Sequence, residues 1–346
     1  MNNLFHGKGV WHLGVRRFFA GLGLLALLAG CRADDTVRLY GRAQGTYYSV
    51  QYRDGQRRDL QPQVDSLLDA FDRSASLWID SSLLRRVNAG LTDSLDDILY
   101  TLLTRSLQIE QYTGGAFNCR VGRLVQAWGF SFRQRQEPDD AELARLLQSA
   151  HSDISLDHRR LTHKEPGTEF DFNAIAQGYA SDLVGQMLER YGIHDYLVDI
   201  GGEVVARGMK NDGSPWRVGI EQPSADSLSS PVVMTAIALR DASVVTSGSY
   251  RKYYERDGMR YSHTIDPATG RPVQHTLLSV SVVEKEGWLA DAMATAYMVM
   301  GLDSARAFIA AHPDGPGTAA VLFIYDDGGE MKTYTTPAWD NLTINK

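Results

Sequence analysis

An α+β fold, a largely antiparallel sheet core with packed helices, is what this sequence predicts. Two extended runs, Tyr196 to Ile200 and Glu203 to Arg207, flank Gly201-Gly202 as a hairpin, and Trp216 to Ile220, Val232 to Leu239 and Leu278 to Val283 are further strands. Helical spacing of apolar residues recurs elsewhere, first at Leu60, Val64, Leu67, Leu68 and Phe71. Adjacent strands with hairpin-length links favour this class over a doubly wound α/β sheet.

At the N-terminus, Lys8, Arg16 and Arg17 precede an uncharged apolar run from Phe18 to Leu28, too short to span a bilayer comfortably. It reads as a signal-peptide core. Leu28-Ala29-Gly30-Cys31 ends it and resembles a bacterial lipobox, in which cleavage leaves a lipid-modified cysteine, while Arg16-Arg17-Phe18-Phe19 has the look of a twin-arginine export signal. The expected organisation is a signal peptide over 1–30, a lipid-anchored tether over 31–36, and one domain over 37–346 facing the periplasm. Removing three cations and no acid from a chain of formal charge −7 leaves about −10. That balance, without basic runs, excludes a general nucleic-acid binder. Cys31 and Cys119 are the only cysteines. With Cys31 lipidated no internal disulfide forms, and Cys119 is expected as a small buried apolar residue rather than a nucleophile.

Along the domain, Val37 to Tyr52 is extended and interrupted by Gly45-Thr46. After the first helix, Leu95, Ile98, Leu99, Leu102, Leu103 and Leu107 mark a second, with Ser94 and Asp97 in capping-box positions. A third has Pro138 in its first turn and Leu143, Leu146 and Leu147 on one face. A hairpin over Ile154 to Phe172 leads to a helix from about Ala176 to Tyr191, stopped by Gly192.

The chemistry centres on Asp171-Phe172-Asn173-Ala174-Ile175-Ala176-Gln177-Gly178-Tyr179, where an extended run bends into that helix. Helix starts offer unpaired N–H groups to a phosphate, and a nearby carboxylate and carbonyls suit a hard cation. The same stretch also reads as an ordinary helix start capped by Asn173. Asp291-Ala292-Met293-Ala294-Thr295 lies in a helix expected to end at Gly301, its carboxylate and hydroxyl one turn apart on one face. Tyr261-Ser262-His263-Thr264-Ile265-Asp266-Pro267 runs into a turn closed by Gly270, and Thr246-Ser247-Gly248-Ser249 reads as a hydroxyl-rich turn offering N–H groups to an anion.

In order, these segments resemble the ApbE family of FAD:protein FMN transferases over nearly the whole mature chain. Gly45-Thr46, Ser82 to Asn88, Gly114-Gly115-Ala116-Phe117 through Trp128-Gly129-Phe130, Asp171 to Tyr179, Tyr196 to Gly202, Thr246-Ser247-Gly248, Ser262 to Pro267 and Asp291 to Thr295 carry the likeness. It implies a T-fold-like sheet and magnesium-dependent transfer of the FMN half of FAD to a Thr or Ser hydroxyl of an acceptor, with AMP released. The implied metal ligands are the Ala174 carbonyl, Asp291 and Thr295. FAD contacts are implied at Gln44, Trp78, Ala116, Phe117, Asn118, Asp171, Gln177 and Thr264, and the acceptors would be flavoproteins of the cell envelope.

Some positions depart from the family pattern. Gln44 stands where Met is common, Trp78 for Tyr, Asn118 for Asp, and Gln177 for Lys or Glu; Cys119-Arg120 and Arg123 replace Pro-Thr and Pro, which reshapes that loop. His263 and Asp266 are candidate general bases, beside a metal-bound arrangement that polarises the acceptor hydroxyl. The alternatives are an FAD pyrophosphatase giving FMN and AMP, and a flavin-binding lipoprotein without catalysis.

Overall fold

Gln44 and Gly45 both take left-handed backbone angles, φ 52° and 74°, and this tight turn folds Thr36–Ala43 (β1) back on Thr46–Arg53 (β2). The computed structural model describes residues 34–130, 138–224, 232–249, 253–256, 259–262 and 264–344. Cys31, the signal segment and His263 lie outside the described residues. Among the described residues no helix is long and apolar enough to cross a membrane.

Gln61–Ala75 (α1) follows, with Pro in its first turn and Val64, Leu68 and Phe71 buried on one face. Each contributes roughly 1.5–3 kcal/mol by leaving water. Leu83–Asn88 (α2) is capped by Ser82, whose hydroxyl accepts the Arg85 N–H at 3.2 Å. The cap of Asp97–Tyr112 (α3) is Asp96, which accepts from Leu99 N at 2.9 Å, and not a Ser94–Asp97 box. Ser94 is held extended by a bridge to Arg160, so the helix starts later than the sequence suggests. Gly122–Ala127 (α4) and Asp140–Ala150 (α5) come next; Asp139 caps α5, and Pro138 sits just outside the helix rather than in its first turn.

Ile154–Asp157 (β3) and Arg160–Lys164 (β4) form a hairpin that ends at Lys164, well short of Phe172. Beyond it the chain leaves the hairpin to lie beside Cys119–Gly122, with Asp171 N on the Cys119 carbonyl at 2.8 Å and Gly122 N on that of Glu169 at 3.1 Å. Ala176–Arg190 (α6) ends before Gly192, whose φ of 79° is the left-handed stop glycine supplies.

The strands Tyr196–Ile200 (β5), Glu203–Arg207 (β6), Trp216–Glu221 (β7), Val233–Leu239 (β8), Ala242–Gly248 (β9), Tyr253–Arg256 (β10), Met259–Ser262 (β11) and Leu277–Glu284 (β12) precede the long helix Gly287–Ala311 (α7). Ala320–Asp327 (β13), Glu330–Thr335 (β14) and Pro337–Asp340 (α8) close the chain. Among the described residues, eight strands build one antiparallel sheet in the order β1-β2-β5-β6-β9-β12-β13-β14. Thr246-Ser247-Gly248 is therefore strand and not a turn: it pairs with Ser281, Val280 and Ser279 of β12, and just before it Val244 and Val245 bury on opposite faces.

That alternation makes two cores. Val205, Val245, Val280, Val282, Val321 and Phe323 point to the face covered by α1, α3, α6 and α7, whereas Val204, Val244, Leu322 and Ile324 meet the β7–β8 hairpin and Trp339 of α8. α7 does not end at Gly301. It breaks there, at φ 74° and ψ 169°, and continues to Ala311.

Candidate active site

The start of α6 is built by one carbonyl and one exception. Ile175 N and Ala176 N both donate to the Phe172 carbonyl at 3.0 and 2.8 Å, and Asp171 Oδ1 accepts the Asn173 N–H at 2.8 Å. Asn173 is exposed and caps nothing; the cap position falls on Ile175, without a side-chain bond. Tyr179 N resumes the helical ladder on the Ile175 carbonyl. Gly178 does not: its N–H donates to Asp291 Oδ2 at 3.0 Å. Among the described residues no backbone N–H bonds to the Ala174 carbonyl, the acceptor that Gly178 would ordinarily use.

Glycine at 178 and 287 lets α6 and α7 approach this closely. A Cβ on Gly287 would stand 2.6 Å from the Gly178 carbonyl, and one on Gly178 would meet the Gly287 carbonyl and come within 2.8 Å of the Asp291 Cβ. The contact is reciprocal. Asp182 of α6 accepts from Gly287 N at 2.8 Å and Trp288 N at 2.9 Å, satisfying the first turn of α7.

Burial drives the Asp291 carboxyl well above its ordinary range; the Gly178 N–H opposes the shift and nearby Asp182 adds to it. Asp182 shifts upward for the same leading reason, against its two N–H donors. Among the described residues no Lys or Arg ion-pairs with Asp291, and its Oδ1 takes no hydrogen bond. One turn on, the half-buried Thr295 hydroxyl lies 3.2 Å from Ser247 Oγ on β9. A free carbonyl, a carboxylate oxygen and a hydroxyl are the hard oxygen donors magnesium takes, with water and substrate phosphate filling the rest. A count of carboxylates, histidines and thiols misses them: among the described residues no three such groups gather.

The residues expected to touch the flavin fall into two groups. Thr46, two residues after Gln44, converges with Gln177 and Gly201: a Cβ on Gly201 would stand 2.8 Å from both Gln177 Nε2 and Thr46 Cγ2. The β1–β2 turn, the β5–β6 turn and the start of α6 thus meet. Gln44 donates its backbone N–H to Asp72 Oδ2 at 3.4 Å, yet its amide nitrogen and oxygen are both buried without a hydrogen-bond partner. An unsatisfied buried amide fits a polar ligand edge that completes it. Trp78, in the loop after α1, is 64% exposed.

In the second group, Phe117 is buried in the main core, Ala116 packs against it, and Asn118 is buried with its amide engaged by the Ala150 carbonyl and the Arg120 N–H. Thr264 accepts the Val273 N–H through its carbonyl at 3.0 Å. Asp266 uses both carboxylate oxygens inside its own turn, for Ala268 N and Thr269 Oγ1 at 2.9 Å each. Asp266, Arg271, His275 and Val299 help line a cavity of about 380 Å³, with Val299 one turn beyond Thr295 on α7.

The sequence pattern of the ApbE family matches residues 44–321, which span every described site residue. The FAD:protein FMN transferase of Vibrio cholerae serotype O1 is 35% identical over 336 residues, covering 94% of this chain and 98% of that protein. The one from Escherichia coli K12 is 33% identical over 342 residues, 95% of each. The chain belongs to the ApbE family. Its fold agrees: the flavinyl transferase ApbE of Pseudomonas stutzeri, in apo form, superposes with a TM-score of 0.79 at 34% identity, covering 89% of this chain and 97% of the other. The flavin transferase ApbE from Vibrio cholerae gives 0.76 at 32%, covering 89% and 99%.

Within this ApbE chain the Asn118-Cys119-Arg120 loop carries its own compensation. Arg120 is buried, pairs with Glu110 and donates from Nε to the same Ala150 carbonyl that Asn118 uses. Cys119 is buried and its thiol is pushed up to about 12 by burial, so it stays a protonated packing group. Asp182 and Gly287 are the residues sequence reading passed over, and Gly178 enters it only as part of the helix start. The available signal was an acidic residue inside an otherwise buried face of α6.

Proposed function

We propose that this chain is a magnesium-dependent FAD:protein FMN transferase that joins FMN, through its phosphate, to a Ser or Thr hydroxyl of an envelope protein and releases AMP. The observation that carries the reading is the Ala174 carbonyl, set free because Gly178 turns its N–H to Asp291, with Thr295 on the same α7 face as Asp291. Magnesium, when bound by these three groups, would offset negative charge on the pyrophosphate.

The protein's own groups supply orientation. Gln44 and Gln177 would offer amides to the ligand, and the exposed Trp78 a ring face. Asp171 holds the bend before α6, and Thr264 pins its own segment by accepting the Val273 N–H. The acceptor oxygen bonds to the FMN-side phosphorus as the bridging P–O bond breaks, and AMP leaves with the bridging oxygen. The hydroxyl proton goes to a base, for which His263 and Asp266 are the candidates. Cys31 as lipid anchor, a tether over 31–36 and a periplasmic domain over 37–346 complete the reading.

The test is incubation with FAD, magnesium and a candidate acceptor, read by mass. An acceptor gaining the mass of FMN supports transfer. Free FMN and AMP with an unchanged acceptor means a pyrophosphatase, and intact FAD bound to the protein means a carrier.

A further inference from the structure

We infer that Asp182 is the positioning residue for the cation site, locking the start of α7 onto α6 so that Asp291 faces the Ala174 carbonyl; this rests on the cation reading above. Asp182 stands one turn after Gly178 in α6, and Asp291 one turn after Gly287 in α7. Each carboxylate takes backbone N–H groups from the other helix: Asp182 from Gly287 and Trp288, Asp291 from Gly178. The two glycines lie between them in backbone contact. Sliding or rotating α7 on α6 breaks all three bonds together.

The chemistry at Asp182 calls for a carboxylate. Its two oxygens serve two donors, one each, at 2.8 and 2.9 Å, in a residue 5% exposed. The cap residue Glu286 spends its carboxylate on the Trp288 indole N–H at 3.2 Å and caps no backbone N–H of that turn, so Asp182 is the side-chain acceptor for the Gly287 and Trp288 N–H groups. Asparagine offers one acceptor and turns an NH2 group toward the second donor. The consequence reaches Asp291: with Oδ2 fixed on Gly178, Oδ1 is left for the cation, and the aim of Oδ1 follows the seating of α7. Asp182 touches neither substrate nor cation in this scheme; it acts through Asp291.

The experiment measures Mn2+ binding to the purified full-chain protein without FAD, by the loss of free-ion electron paramagnetic resonance signal, in parent, Asp182→Asn, Asp182→Ser, Gly287→Ala and Asp291→Asn. Asp182→Asn is expected to weaken Mn2+ about 10- to 100-fold, with metal-free FAD affinity unchanged. Asp182→Ser, which keeps one accepting oxygen, and Gly287→Ala, which displaces the same contact without altering a carboxylate, are expected to weaken it in the same direction. Parent-like Mn2+ binding by folded Asp182 variants, with binding lost in Asp291→Asn, overturns the inference, even if their melting temperatures fall. Parent-like binding in Asp291→Asn instead removes the cation reading itself.

Discussion

Gly178 donates its backbone N–H to Asp291 Oδ2 at 3.0 Å, across 113 residues of sequence, and so leaves the Ala174 carbonyl outside the α6 ladder. A helix normally closes that bond within itself. Here the bond is traded for one between helices, from the backbone of α6 to a carboxylate of α7. Gly178→Ala is expected to cost about 1–3 kcal/mol, because the new methyl meets backbone at Gly287 that has nowhere to move. Urea denaturation of the variant measures it.

Asp291→Ala removes the charged donor of the proposed cation site. Transfer is expected to fall by about 100-fold or more and to lose its dependence on magnesium. A magnesium titration of FMN transfer, parent against variant, checks both; equal curves would refute metal-assisted catalysis.

Gln44 carries a buried amide with neither atom bonded. Gln44→Leu is expected to leave the FAD-free protein as stable as the parent or more so, and to weaken FAD binding by about tenfold, near 1.4 kcal/mol. Melting temperature without FAD and flavin fluorescence titration separate the two effects.

Arg105 of α3 stacks its guanidinium over Tyr179, 4.7 Å from the ring centre, and over Trp288, at 4.5 Å. Each ring follows one of the contact glycines, so this cation clamps α3 to both helix starts. Arg105→Met is expected to cost about 1–2 kcal/mol, with Arg105→Lys recovering part of it, by chemical denaturation.

Asp54 is held below its ordinary value by Arg58, whose side chain and N–H both bond it, against an opposing burial effect. A lowered carboxylate stabilises the fold above its unfolded value of 3.8 and loses that contribution as pH falls through its lower folded value. Stability curves of parent and Asp54→Asn should therefore differ near neutrality and converge in acid.

Much of the fold was legible because periodicity is local. The apolar spacing of α1 and the Gly201-Gly202 hairpin each depend on residues a few positions apart, and both form where expected. Thr246-Ser247-Gly248 was misread because its hydroxyls look like a turn, while its strand state comes from β12, thirty residues away. Ser94 likewise looks like a cap until Arg160 draws it into a bridge.

By itself the sequence determined the α+β class, the two segments that hold the candidate ligands, and, through its resemblance along most of the chain, the family. Tertiary structure alone decided how those segments meet. Whether Gly178 keeps its helical bond or gives it to Asp291 depends on how closely two helices approach, and that is set by two absent side chains, at Gly178 and Gly287, together with the Asp182 carboxylate that fixes their alignment. A freed carbonyl is a property of backbone geometry and has no letter in the sequence.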